Sequence, residues 1–158
     1  MATLHLMIGL PCLGKTMLAR RLEAALPALR LTPDEWHTRL FGQDLADHPA
    51  HDARYGLIEN LMWEVAARVL PLGVDVILDY GLWGQVKRED YRSRAAGLGA
   101  SSEIHFLDVP EEIRLQHLEA RNANLPMGTF SIPKETLKVY IGIFQPPTPD
   151  ELQRRELT

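Results

Sequence analysis

The sequence predicts an α/β fold, a parallel sheet of about four strands with helices on both faces, arranged in three layers. Three observations carry that prediction. Short apolar segments alternate with amphipathic ones along the chain, and parallel strands need such crossovers between them. The first crossover opens with a glycine-interrupted stretch, Gly9-Leu10-Pro11-Cys12-Leu13-Gly14-Lys15-Thr16, before helical periodicity begins. No internal repeat or low-complexity linker divides the 158 residues, so residues 1–158 are expected to form one domain.

The elements follow in order. Residues 3–8 are mostly apolar and end at a glycine, as a buried strand does. Residues 15–26 place Leu18, Leu22 and Ala25 on one helical face, with Arg20, Arg21 and Glu23 turned elsewhere, and Pro27 stops the helix. A short second strand spans 28–32. Thr32, Pro33 and Glu35 then have the pattern of a capping box with proline at the first helical position. The polar stretch 42–51 is a loop, and a long helix over 52–70 has Leu57, Leu61, Val65 and Leu72 as its buried-face candidates. The β-branched run 74–80 predicts a central strand. A helix over 85–97, a strand over 103–109, and helices over 110–123 and 133–144 complete the pattern. The tail after 144 begins with a proline-rich turn, and no segment there makes a convincing fifth strand.

Composition narrows the functional classes. A net charge of −4 and a pI near 5.8 argue against a nucleic-acid platform, which needs a basic face to replace counterions. A single cysteine, Cys12, excludes an internal disulfide and fits a reducing compartment. The N-terminal residues lack the basic and apolar regions of a signal peptide, and no apolar run approaches the ~20 residues that cross a membrane. The expectation is a cytoplasmic protein without a membrane partner. Six histidines are present, but His48 and His51 flank a proline in a loop, and no zinc spacing is recognisable. Trp36, Trp63 and Trp83 are expected in the core or in pocket walls.

The interrupted crossover carries the chemistry. Gly9-x-x-x-x-Gly14-Lys15-Thr16 is a complete Walker A pattern in its proper setting, strand before and helix after. In such a P-loop, backbone N–H groups curl around phosphate oxygens and the helix N-terminus adds its positive dipole end. The lysine bridges the outer phosphates and the threonine hydroxyl ligates Mg²⁺. The expected cofactors are therefore ATP and Mg²⁺. The expected nucleotide-binding residues are Gly9, Leu10, Pro11, Cys12, Leu13, Gly14, Lys15, Thr16 and Met17. The fold prediction sharpens to a three-layer P-loop NTPase fold.

Two strand-end aspartates, Asp79 and Asp108, could support the metal. Asp79 is the better placed, acting through water with Thr16; Asp108 precedes Val-Pro-Glu-Glu and fits the start of a helix. Asp34 follows the second strand, at the carboxyl edge of the sheet where ligands of such folds bind. A carboxylate there can take the proton of an attacking hydroxyl, although acids also favour a first helical turn for the dipole alone. His51, Arg54 and Tyr55 are candidates for the acceptor pocket.

Taken together, "GLPCLGKT", "LTPDEW", "VILDYGLW" and "VPEEIRLQHLEARNAN" resemble segments of the small P-loop kinases of the AAA_33 type. That group includes polynucleotide 5′-kinase, chloramphenicol phosphotransferase and zeta-toxin-like enzymes. The resemblance covers about residues 3–149. It implies a lid at about 122–131, Asp34 as general base, and Arg121 as a lid arginine that contacts the nucleotide and serves catalysis beside Lys15. Arg114, two turns before Arg121, could share its face.

Two departures stand out. Leu125 occupies the position of a second lid arginine, leaving the transition-state charge to Arg121 or to arginines elsewhere, such as Arg88 or Arg92. Pro11, Cys12 and Leu13 replace the small residues usual in the loop. The implied function is ATP-dependent phosphoryl transfer to a hydroxyl of a small molecule. Its rivals are a nucleotide-hydrolysing regulator without an acceptor, and a polynucleotide 5′-hydroxyl kinase. An acceptor pocket beyond the phosphates would favour a kinase over the regulator.

Overall fold

The computed structural model describes residues 1–10, 14–42, 48–125 and 132–157. Strand β1 (Thr3–Ile8) leads to helix α1 (Lys15–Ala25), strand β2 (Leu29–Leu31) and helix α2 (Pro33–Phe41). Helix α3 (His51–Val69) ends in a 3₁₀ turn, and strand β3 (Val76–Gly81) follows. Helix α4 (Gln85–Gly97), strand β4 (Ser101–Phe106), and helices α5 (Glu111–Ala123) and α6 (Lys134–Ile143) complete the order. The strands form one parallel sheet in the order β2-β3-β1-β4, as the alternation predicted.

Registry places side chains on the two faces in alternation. Leu4 and Leu6 of β1 lie beside Val76 and Leu78 of β3. These four join Ile58, Met62 and Ala66 of α3 and Tyr91 and Ala95 of α4 in the main core. On the opposite face Met7 and Ile77 pack against Ala19, Leu18 and Leu22 of α1. Helices therefore cover both faces, and the central strands can be apolar throughout. A smaller cluster of Leu118, Ile132 and Leu137 joins α5 to α6. Among the described residues, no helix is long and apolar enough to cross a membrane.

The buried stripe of α3 differs from the expected one. Leu57, Leu61 and Leu72 are 66%, 53% and 77% exposed, and Val65 is also exposed. Ile58, Met62, Ala66 and Leu70 face the sheet instead. The helix carries apolar residues at adjacent positions, giving two stripes about 100° apart, and helical periodicity alone does not choose between them. On α1, Ala25 is exposed and Ala19 is the buried residue.

The capping box at α2 does not form. Thr32 makes no side-chain cap, and its hydroxyl turns into the sheet edge toward Asp79. Glu35 accepts hydrogen bonds from Arg20 and Arg30.

Arg88 and Arg92 are structural, which removes them as sources of transition-state charge. Both are almost fully buried, at 0% and 2% exposure. Arg88 donates to both carboxylate oxygens of Glu151, at 2.7 and 3.2 Å, and to the carbonyls of Leu82 and Gln145. Arg92 donates to the carbonyls of Glu151 and Gln153 and to the Ser102 hydroxyl. Together they fasten the C-terminal tail. The tail adds an antiparallel bridge, Ser102 with Arg155, at the β4 edge rather than a fifth strand.

Candidate active site

The carboxyl ends of β1, β2 and β3 bring Gly9, Thr32 and Asp79 together. At α1 the N-terminal turn has no side-chain cap and no acidic residue. Its N-cap, Gly14, has φ 78°, a left-handed conformation that glycine adopts without penalty. An uncapped helix start of this kind presents free N–H groups and a positive dipole end, the physical requirements for an anion. The Gly9 amide donates to the Gly81 carbonyl at 3.0 Å, joining the ends of β1 and β3. Gly81 has φ 87°, and a Cβ there would lie 3.2 Å from the Gly9 carbonyl oxygen, so the close approach requires glycine.

Asp79 is the focus of this edge. Its carboxylate accepts from Lys15 Nζ at 2.7 Å, from Thr16 Oγ1 at 2.7 Å and from Thr32 Oγ1 at 3.0 Å. Burial alone would raise its pKa. The Lys15 charge and the three hydrogen bonds outweigh burial and hold the carboxyl below the usual range. Thr32 is itself oriented by Arg30, whose Nη1 donates to Oγ1 at 2.6 Å. This chain of Arg30, Thr32 and Asp79 was not legible as a site, because the sequence assigns Thr32 a capping role.

Asp34 lies in the first turn of α2, and its Oδ1 accepts from the Tyr55 hydroxyl at 2.9 Å. Burial, followed by the neighbouring Asp34 charge, pushes the Tyr55 phenol well above its usual range, so Tyr55 remains a donor at neutral pH. Asp34 and Lys15 line one cavity of about 430 Å³, with His51, Tyr55, Glu59 and Trp83 among its walls. Glu59 accepts from Lys87 Nζ at 2.8 Å. Burial raises the Glu59 pKa and the Lys87 bond opposes that rise. Trp83 Nε1 donates to the Gly9 carbonyl, and the ring packs on Tyr140 with centroids 4.5 Å apart. The Glu59–Lys87 pair spans 28 residues and has no spacing signature by which the sequence could have revealed it.

The other predicted residues are distributed as follows. Leu10 is buried and lines a second cleft with Phe106, Asp108, Arg114 and Phe144. Asp108 is thus placed apart from the Asp79 cluster. Arg114 donates to the Val109 carbonyl. Met17 is exposed in the first turn of α1. Arg121 is half-buried in the last turn of α5 and does not line the cavity. Asn122 pairs with the backbone of Ile132 in both directions. Pro11, Cys12 and Leu13 of the loop, and 126–131 of the expected lid, lie outside the described residues. His51 and Tyr55 line the cavity, whereas Arg54 stacks over Phe41.

The donor set fits a Mg²⁺–nucleotide. A threonine hydroxyl and an ionised carboxylate meet beside an ammonium group, at an uncapped helix N-terminus.

Several proteins of known structure share this architecture. A Chloroflexus aurantiacus protein described as a putative kinase superposes with a TM-score of 0.72 at 17% identity, covering 94% of this chain and 82% of that one. Kti12 from Chaetomium thermophilum, in complex with ADP-AlF3, gives 0.67 at 20% identity, covering 94% and 82%. A gluconokinase from Sinorhizobium meliloti gives 0.59 at 13% identity, covering 96% and 79%. A chain of the Pnkp1/Rnl/Hen1 RNA repair complex gives 0.66 at 18% identity, but this protein spans only 43% of its length. A search of curated proteins with the sequence gave no match. These likenesses show a P-loop kinase-like fold. The family model described as an AAA domain, AAA_33, matches residues 4–147, and the chain belongs to that family.

Proposed function

We propose that the protein is an ATP-dependent phosphotransferase that moves the γ-phosphoryl group to a hydroxyl of a small molecule. The observation that carries this reading is the cavity shared by Lys15 and Asp34, which extends beyond the phosphate-binding end of α1. A regulator that only hydrolyses nucleotide has no need of a carboxylate held by a tyrosine in such a space.

In this reading the α1 N-terminus and the loop hold the phosphates. Lys15 exchanges Asp79 for the outer phosphates and neutralises charge that develops during transfer. Thr16 would hold Mg²⁺, with Asp79 acting through water; when bound, the ion supplies further neutralisation at the phosphates. Tyr55 fixes one oxygen of Asp34, and the carboxylate takes the acceptor's proton as the acceptor oxygen attacks the γ-phosphorus and the bond to the β–γ bridging oxygen breaks, releasing ADP. Arg121 and the segment over 122–131 would close the site and exclude water, which otherwise competes as acceptor.

The cavity's charges favour a neutral or cationic acceptor. Asp34, Asp52 and Glu59 line it, and the ammonium group of Lys87 is already paired with Glu59. A polynucleotide 5′ end would bring phosphates toward these carboxylates, which disfavours the polynucleotide kinase reading. The test is transfer from γ-labelled ATP to a panel of alcohols, amino alcohols, sugars, nucleosides and oligonucleotides. Labelling of a small neutral or cationic alcohol is expected. ATP hydrolysis unchanged by every acceptor would contradict the proposal.

A further inference from the structure

Midway along β1, four residues before Gly9 and about 13 Å along the strand, three potential metal ligands meet. His5 of β1 is in register with Glu103 of β4, and His105 lies two residues further on, on the same sheet face. His5 Nδ1 and His105 Nε2 are 3.0 Å apart, and the Glu103 carboxylate joins them with all three donors within 4.8 Å of one another. We propose that His5, His105 and Glu103 form a binding site for a borderline divalent transition metal ion, Zn²⁺ fitting best, with Asp75 as the residue that orients His5.

The hydrogen-bonded geometry can be converted to a metal site with small movements. Asp75 is pinned by the Thr3 amide on Oδ1 at 2.8 Å, and its Oδ2 lies 3.0 Å from His5 Nε2. With the Nε2 proton given to Asp75, His5 presents the Nδ1 lone pair toward His105. That is the carboxylate–histidine–metal arrangement, in which an outer carboxylate fixes the ligating tautomer. A tetrahedral ion with Zn–N distances of 2.0–2.1 Å needs its two nitrogens about 3.3–3.4 Å apart. The nitrogens therefore have to separate by a few tenths of an ångström and the rings to turn until both lone pairs converge on the ion, with the His105 proton carried on Nδ1. Glu103 makes a 3.5 Å ion pair with the exposed Arg154, which it can leave. Two imidazoles and one carboxylate leave a fourth position for water and suit Zn²⁺ or Co²⁺ better than Mg²⁺. Sequence spacing could not reveal the site, because His5 and His105 are 100 residues apart and converge only through β1–β4 pairing.

Co²⁺ titration in excess Mg²⁺, followed by visible absorption, tests the proposal. The expected result is one Co²⁺ per chain, with the intense d–d bands of a four-coordinate site, bleached by stoichiometric Zn²⁺. Asp75→Asn should weaken binding about 10–100-fold, the usual effect of losing an outer carboxylate. His105→Gln should abolish the bands. Glu103→Gln, at a half-exposed position that tolerates the change, should weaken binding at least tenfold and keeps the test valid if His105→Gln misfolds. Weak octahedral bands in the unaltered protein, or equal affinity in Glu103→Gln, would overturn the assignment.

Discussion

Replacing Glu151 by alanine removes the carboxylate bound to Arg88 and leaves that guanidinium, 0% exposed, with two of its four hydrogen bonds. Breaking one side of a buried ion pair costs about 3–5 kcal/mol. The Leu82 and Gln145 carbonyls still solvate Nη1, and the surface tail can admit water, so the lower end of that range applies. For a domain of this size each kcal/mol moves the midpoint by about 2–4 °C, giving a fall of roughly 6–12 °C. The control is Arg155→Ala. Arg155 makes a two-point pair with Glu89 at 2.7 and 2.9 Å, but both side chains are exposed, and such pairs contribute about 0–1 kcal/mol. Thermal melts followed by far-ultraviolet circular dichroism read both variants. If Glu151→Ala melts within about 2 °C of the unaltered protein, less than a single kcal/mol would give, the tail is not held by Arg88 and the case against a catalytic Arg88 fails.

The same clamp has a pH signature. Burial would raise the Glu151 carboxyl, but the Arg88 bond and the Thr148 amide override burial and hold it below its ordinary 4.5. Its folded pKa is therefore lower than its unfolded one, so the stabilisation is complete above pH 4.5 and lost as pH falls through the folded value; acid melts of Glu151→Gln should lack that component. Lys15→Ala should nearly abolish nucleotide turnover and also lower the nucleotide-free melting point by several degrees, because buried Asp79 loses its cation. Normal turnover in that variant would count against the P-loop assignment. Asp79→Asn should weaken the Mg²⁺ dependence of activity, and an unchanged Mg²⁺ titration would move the metal to another acid.

The fold was legible because the strand–helix alternation leaves few topologies, and the Walker A spacing fixes where the first crossover turns. Helix α4 begins and ends where its polar pattern says it should, at Gln85 and Gly97. The exposed face of α3 was not legible, since Leu57 and Ile58 are equally apolar and only the sheet's position selects Ile58. Thr32 illustrates a second kind of limit. Its local pattern is a capping box, but a buried carboxylate 47 residues away competes for the hydroxyl and wins it. Asp79 and Lys15 could be proposed from spacing and strand ends. The Tyr55 bond to Asp34 and the Glu59–Lys87 pair depend on how α2, α3 and α4 pack, which no local pattern encodes. Arg88 and Arg92 look like free cations on a polar helix until the tail folds back over them.

In the proposed reaction Asp34 takes a proton from an acceptor in the cavity it shares with Lys15. In Asp34→Asn the amide carbonyl oxygen can still accept the Tyr55 hydrogen bond, so the substitution removes the base with little change in shape. The decisive measurement is the rate of phosphoryl transfer by Asp34→Asn at saturating ATP, relative to the unaltered protein and using the alcohol found in the acceptor screen. A fall of roughly 10²–10⁴-fold with ATP affinity preserved is expected. A transfer rate that merely tracks the folded fraction, with a small melting shift from the lost dipole interaction, would contradict it.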